Sequence, residues 1–218
     1  MRKLYLCLVT ILLALGAFIY FTWPRDIITK VNPNLNAEQR AKYENQLAET
    51  KKQIAAIDKS TPSEQKAQLY FDLARTEFTL GEYLKAKQAY EKVIETYPGF
   101  KGAYYEYFTV VLTMRDYDSA KKIARQGLGI NPQDGSLWLG LIGLERDHLG
   151  ANDTALIGLY LEAMAKSGPD MQVAATYARF LEEKGNIPEA LRQWKMLAAL
   201  HPEVPQFADQ VKRLEKMH

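Results

Sequence analysis

The chain is poor in the residue types that build most chemical sites. Its single cysteine, Cys7, excludes an internal disulfide and any metal site made of several cysteines. None of its three histidines, His148, His201 and His218, has a second histidine or a carboxylate at the spacing of a metal site. We therefore expect no catalytic residue, no metal ligand, no cofactor and no small-molecule substrate, and we do not expect an enzyme.

Excess charge and strand patterns are missing too. The 28 lysines and arginines nearly balance the 26 aspartates and glutamates, so the net charge of +2 indicates no nucleic-acid-binding surface. No segment alternates polar and apolar residues with the branched side chains that strands favour. Because 47% of the residues are hydrophobic and 25% are charged, most of the chain should still fold. The pattern predicts an all-α protein.

Long apolar runs are absent except at the N-terminus. Residues 4–23 carry no charge, and a helix of that length spans roughly 30 Å, the thickness of a bilayer's hydrocarbon core. Because Arg2 and Lys3 precede this run, we expect residues 1–23 to be a short tail and a transmembrane signal-anchor, with the following domain outside the cytoplasm. The basic residues that follow the run, Arg25, Lys30, Arg40 and Lys42, favour the opposite orientation. The alternative is a signal peptide cleaved near residues 14–17, which would leave a secreted soluble protein.

Residues 24–60 separate this segment from the main domain. Prolines and asparagines in residues 24–35 indicate an irregular linker. Asn36 then suits the N-cap of a helix over residues 37–57, in which the apolar side chains form one narrow stripe: Tyr43, Leu47, Ile54 and Ile57. The stripe either packs on the main domain or forms a short coiled coil, which would give a weak homo-oligomer.

A similar segment then recurs every 34 or 35 residues. Its clearest marker is an alanine a few residues after a turn, at residues 86, 120, 155 and 190, with spacings of 34, 35 and 35. A fixed period of this size indicates stacked units of two antiparallel helices. Each alanine would let the two backbones of a pair approach closely, because a larger side chain would force them apart.

The repeats resemble tetratricopeptide repeats in the residues at the family's signature positions. In chain order these are Tyr70, Leu73, Ala74, Gly81, Tyr83, Ala86, Tyr90 and Pro98; Tyr104, Tyr107, Phe108, Tyr117, Ala120, Ala124 and Pro132; Trp138, Leu141, Ile142, Gly150, Ala155 and Leu159; Tyr177, Ala178, Gly185, Ala190, Trp194 and Pro202. Phe108 and Ile142 stand where the family prefers a small residue, which predicts wider spacing in those two helix pairs.

The resemblance implies a right-handed α-solenoid of about four helix pairs over residues 61–202. The expected repeats are residues 61–98, 99–132, 133–168 and 169–202. Residues 203–218 carry apolar side chains at intervals of four and three, so we expect a helix that covers the end of the stack.

In this family the first helix of each pair lines a concave groove that binds partners. Carried onto this chain, the resemblance predicts a partner-binding stripe of Phe71, Arg75, Tyr105, Thr109, Arg146 and Arg179. Phe78 and Leu112 either continue this stripe or belong to the core. The clamp by which some members hold a terminal carboxylate is absent, because its places hold other residues: Phe71, Arg75, Glu106, Ser136 and Gly140.

These observations predict a non-enzymatic, membrane-anchored scaffold or adaptor that binds a partner protein or peptide in its groove. The layout resembles that of bacterial envelope proteins with an N-terminal anchor and a repeat domain, some of which assist cytochrome c maturation or export. By that analogy we expect a single-pass protein of the bacterial inner membrane. The alternative function is that of a secreted soluble interaction module.

Overall fold

The computed structural model describes residues 26–168 and 170–216, which form ten α-helices and no strand. The helices are α1 Ala37–Ala55, α2 Ser63–Thr79, α3 Tyr83–Thr96, α4 Lys101–Thr113, α5 Tyr117–Ile130, α6 Gly135–Asp147, α7 Asp153–Ser167, α8 Met171–Glu183, α9 Ile187–Leu200 and α10 Pro205–Glu215. The all-α prediction is therefore confirmed. The expected transmembrane segment lies outside the described residues. Within them, every helix is too short or too polar to cross a bilayer.

Helices α2 to α9 form four consecutive pairs, each joined by a short turn. The second helix of a pair also contacts the first helix of the next pair, which produces a continuous solenoid. At the two ends, α1 packs on α2 and α10 packs on α9. Phe207 and Leu214 of α10 are buried, so α10 covers the apolar end of the stack.

The repeated alanines form the close contacts in three of the four pairs. Ala86, Ala120 and Ala190 are fully buried. Ala74 and Ala178, the small residues on the facing first helices, are also fully buried. Where both positions are small, the backbones pack closely, as the repeat pattern predicts.

The third pair departs from this pattern, and the prediction for Ala155 is wrong. Ala155 is exposed, and the neighbouring Leu156 is buried in its place. The shift arises because α7 starts at Asp153, capped by Asn152, one residue later after its glycine turn than α3 starts after Gly81. With the large Leu156 and Ile142 both in the core, α6 and α7 approach each other less closely than the helices of the other pairs.

The second pair accommodates its large residue differently. Phe108 is buried, and its ring lies against Gly140 of α6. A Cβ atom at Gly140 would come within 2.7 Å of this ring, so only glycine leaves room for it. The phenyl ring thus packs against α6 of the next repeat, and α4 and α5 remain closely packed.

The linker before α1 is irregular, but it is bound to the repeats. We call residues 28–33 the strap. The backbone N–H of Ile28 donates to the carbonyl oxygen of Met114 (2.9 Å), and that of Val31 donates to Gly81 (3.0 Å). The N–H of Leu84 donates to the carbonyl oxygen of Thr29 at 3.0 Å. The strap therefore crosses the turns that follow α2 and α4.

Helix α1 begins and packs as its sequence predicts. The Asn36 side chain accepts from the N–H of Gln39 (2.8 Å), and the Gln39 side chain accepts from the N–H of Asn36 (3.1 Å), which completes a capping box. The four predicted stripe residues are partly buried, and Thr50 within the stripe is 7% exposed. Because α1 contacts α2, the stripe faces the solenoid.

A buried carboxylate lies where α1 meets α2. Glu77 is 4% exposed, and its Oε1 lies 3.6 Å from Nζ of the half-exposed Lys51. Burial raises the pKa of the Glu77 carboxyl, and the nearby Lys51 only partly offsets this effect. The folded protein therefore holds a proton on Glu77 to higher pH than the unfolded chain does.

This difference predicts a pH-dependent loss of stability. As the pH rises from the ordinary glutamate pKa through the raised one, the unfolded chain loses its proton first and the folded state is disfavoured. We expect the change Glu77→Gln to remove this loss, so that the stability of the variant rises relative to that of the wild type between pH 4.5 and pH 7.5. Urea unfolding at both pH values measures the gain. If the free energy of unfolding of the variant, relative to that of the wild type, stays constant or falls as the pH rises, the expectation is contradicted.

Candidate functional site

The first helices of the repeats lie next to one another along one face of the solenoid. Helix α4 contacts α6, and α6 contacts α8. Two clefts open on this face, one between α2 and α4 and the other between α8 and α10. We call the surface formed by α2, α4, α6, α8 and α10 the groove face.

The N-terminal pocket is the cleft between α2 and α4. It has a volume of about 300 Å³, and its lining residues are Arg75, Phe78, Thr79, Tyr90, Tyr105, Glu106 and Thr109. Three of the six residues that the sequence predicted for partner binding, Arg75, Tyr105 and Thr109, thus lie together in one pocket. Their role in binding stays a prediction.

A small polar network forms one wall of the N-terminal pocket. The Tyr90 hydroxyl, from α3, donates to Oε2 of Glu106 at 2.8 Å, and Nε of Arg75 lies 3.3 Å from the same oxygen. Burial and the bond to Glu106 raise the pKa of Tyr90, so its hydroxyl stays a donor at neutral pH. The ion pair orients the exposed Arg75 guanidinium, which has further N–H donors and lines the cleft.

Aromatic side chains supply the apolar part of the same pocket. Tyr105 is 42% exposed, and its ring lies 6.4 Å from that of Phe108, centroid to centroid. Phe78 is partly buried against Tyr83. Phe71, by contrast, is only 9% exposed and packs in the core. Phe71, which the sequence predicted for partner binding, therefore belongs to the core beside the pocket. The guanidinium of Arg75 lies 5.7 Å from the centroid of its ring.

The C-terminal pocket lies between α8 and α10. It has a volume of about 440 Å³, and its lining includes Arg179, which the sequence predicted, and Glu182, Trp194, Phe207 and Arg213, which it did not. The indole Nε1–H of Trp194 donates to Oε1 of Glu182 at 2.6 Å, and the Arg213 guanidinium pairs with the other oxygen of this carboxylate. Arg179 is exposed at the rim.

The two pockets occupy equivalent positions three repeats apart. Adding 104 to residue numbers 75, 78, 79, 90, 106 and 109 gives 179, 182, 183, 194, 210 and 213, all of which line the C-terminal pocket. Each pocket therefore has an arginine on its first helix and a large aromatic residue on its second helix. They differ in the number of charged side chains that line them, two in the N-terminal pocket and four in the C-terminal pocket, where Glu182 corresponds to Phe78.

Arg146 lies outside both pockets. It is exposed near the end of α6, where its Nε and Nη2 atoms donate to the carboxylate of Asp147 at 2.7 and 3.1 Å. Leu112 is partly buried and packs against the core. The structure therefore places Arg75, Tyr105 and Thr109 together, Arg179 in a second pocket, and Arg146 between the two.

Sequence reasoning missed the residues that reach a pocket from a neighbouring helix. Tyr90 and Glu106 lie in adjacent repeats, 16 residues apart in sequence, and are joined by a hydrogen bond. Trp194 stands at a signature position of the fourth repeat, and in the structure it also lines the C-terminal pocket. The sequence signal that could have indicated these residues is the pair of large aromatic residues at equivalent positions of α3 and α9, Tyr90 and Trp194.

A comparison with protein families finds a match for part of the solenoid. Residues 77–144, from the end of α2 to α6, match the tetratricopeptide repeat family model. No curated protein matches the sequence.

Solved structures share the fold at low sequence identity. The crystal structure of MamA is similar with a TM-score of 0.57 and 15% identity, over 81% of this chain and 99% of that one. YrrB, described as a tetratricopeptide protein with an unusual peptide-binding site, is similar with a TM-score of 0.50 and 18% identity, over 77% and 82% of the two chains. This likeness supports an α-solenoid fold, and the family match places tetratricopeptide repeats within residues 77–144.

Proposed function

Taking the solenoid as one of tetratricopeptide repeats, we propose that the protein is a non-enzymatic adaptor that binds a partner protein or peptide on its groove face. The N-terminal pocket carries this proposal. It combines an exposed tyrosine ring, an oriented guanidinium and a threonine hydroxyl, from Tyr105, Arg75 and Thr109. Tyrosine and arginine are the residue types that most often dominate binding energy at interfaces.

The pocket is suited to one side chain and the adjoining backbone of a peptide. A volume of about 300 Å³ is at the lower end of ligand sites and holds a single large apolar side chain. The ring of Tyr105 would contact that side chain, while the free N–H groups of Arg75 would bond to peptide carbonyl or carboxylate oxygens.

We also propose that residues 4–23 anchor the protein in a bacterial inner membrane, with the solenoid outside the cytoplasm. The length of the uncharged segment and the basic residues before it support this proposal. By analogy with envelope proteins of the same layout, we propose that the protein acts in envelope assembly or cytochrome c maturation. Cleavage near residues 14–17 is the alternative and would give a secreted module; the intact mass of the purified chain separates the two.

Capture of partners from gently solubilised membranes tests the binding proposal. We expect the double variant Arg75→Ala, Tyr105→Ala to capture about tenfold less partner than the wild type, because it removes the polar and the aromatic anchor of the pocket. A tenfold weaker affinity corresponds to a loss of about 1.4 kcal/mol of binding free energy.

The matched control carries Tyr97→Ala and Lys122→Ala, which remove an exposed tyrosine and an exposed cation from second-helix segments. We expect this control to capture partner at the wild-type level. Equal capture by all three proteins would mean that partners bind elsewhere. Far-ultraviolet circular dichroism establishes that the three have equal helicity.

A further inference from the structure

The strap joins the two helices that form the N-terminal pocket. Ile28 is bonded to Met114, the residue that caps the C-terminus of α4. Val31 is bonded to Gly81, two residues after the pocket residue Thr79 of α2. The side chain of Lys30 also pairs with Glu82 in the turn after α2. One short segment is thus attached to the same end of both pocket walls.

The strap is short between its two hydrogen bonds to the ends of α2 and α4. Ile28 and Val31 are three residues apart, and three extended residues span at most about 10 Å. The ends of α2 and α4 therefore cannot move apart beyond the reach of these three residues unless a backbone hydrogen bond breaks.

The contact at the first turn leaves no free space. Gly81 has a φ of +77°, and a Cβ atom there would lie 2.4 Å from the carbonyl oxygen of Val31. Gly150 and Gly185 have similar φ values of +70° and +73°, but nothing lies within 4 Å of a Cβ atom at either position. Of the three glycine turns, the strap covers the one beside the N-terminal pocket.

We propose that the strap is a positioning element that holds α2 and α4 at the spacing that forms the N-terminal pocket. Its effect on partner binding rests on the proposed function, whereas its effect on helix spacing does not. A peptide that binds this pocket would then meet two walls already fixed in place, which lowers the ordering cost of binding.

Dipolar electron paramagnetic resonance on the full chain tests the proposal without a partner. Nitroxide labels are attached at Thr79→Cys and Thr113→Cys, two equivalent and partly exposed positions on α2 and α4, with Cys7 replaced by serine. In the variant Gly81→Ala, which displaces the strap, we expect the label-to-label distance to increase by about 2 Å or more, the range of spacings between packed helices.

Gly185→Ala is the matched control, because it has the same backbone strain without a strap contact. We expect it to leave the distance unchanged. Ile28→Pro, which removes the N–H that donates to Met114, provides a second release of the strap that leaves the α2 turn intact. An unchanged distance in both Gly81→Ala and Ile28→Pro would overturn the proposal. Partner capture by the same variants tests only the proposed binding function. Failure of the strap proposal, seen as an unchanged label distance, can therefore be told apart from failure of the binding proposal.

Discussion

Replacement of Trp138 by alanine is expected to lower the free energy of unfolding by about 4 kcal/mol, the largest single-residue effect that we predict. Trp138 is 1% exposed, and its indole Nε1–H donates to the carbonyl oxygen of Pro132 at 2.9 Å. The guanidinium of Arg125, on α5, lies 5.8 Å from its ring. The variant would lose the ring's packing between α5 and α6, and the indole hydrogen bond with it.

Urea unfolding followed by circular dichroism measures this loss. For a chain of this size, 4 kcal/mol also corresponds to a fall in Tm of roughly 8–16 °C. Trp138→Phe is the control: it keeps most of the apolar volume and removes the hydrogen bond, so we expect a cost of about 1–2 kcal/mol. A cost below about 2 kcal/mol for the alanine variant would mean that the surrounding helices close the cavity.

Replacement of Ala86 by leucine is the second large effect, with an expected cost of about 2–3 kcal/mol. Ala86 is fully buried in the α2–α3 pair, as is Ala74 on α2, so the added atoms would push the two backbones apart.

Ala155→Leu provides the matched control, because Ala155 has the same place in the repeat pattern but is exposed beside a cleft of about 370 Å³. We expect it to change stability by no more than about 0.5 kcal/mol. Equal costs at the two positions, measured by urea unfolding, would contradict the assignment of Leu156 to the core of the third pair.

The helical pairs were predictable from the sequence because their causes are local and repeated. A turn and an alanine five positions after its glycine, or after Arg115 in the second repeat, recur every 34 or 35 residues, and prolines close the first, second and fourth repeats. The third pair shows the limit of this reasoning. The sequence keeps Ala155 in phase, but α7 begins one residue later, and this one-residue delay turns Ala155 outward and Leu156 inward.

The candidate site was predictable only in part, because its contacts join segments far apart in sequence. The spacing of Arg75, Tyr105 and Thr109 places them on first helices, but nothing local indicates that Glu106 would bond both Arg75 and Tyr90. The strap is a similar case. Its asparagine and proline are typical of a linker, and its binding to Gly81 depends on backbone groups rather than on the type of side chain.

The looser contact between α6 and α7 has a mechanical consequence. In a solenoid each repeat touches only its neighbours, so the stiffness of the whole is set by its softest junction. Ile142 and Leu156 hold two helix backbones apart at the third pair, whereas alanines let them close up in the first and the last. When the solenoid bends, we therefore expect the strain to concentrate around α7, whose contacts with α6 and with α8 are both sparse, and the two pockets to move relative to each other.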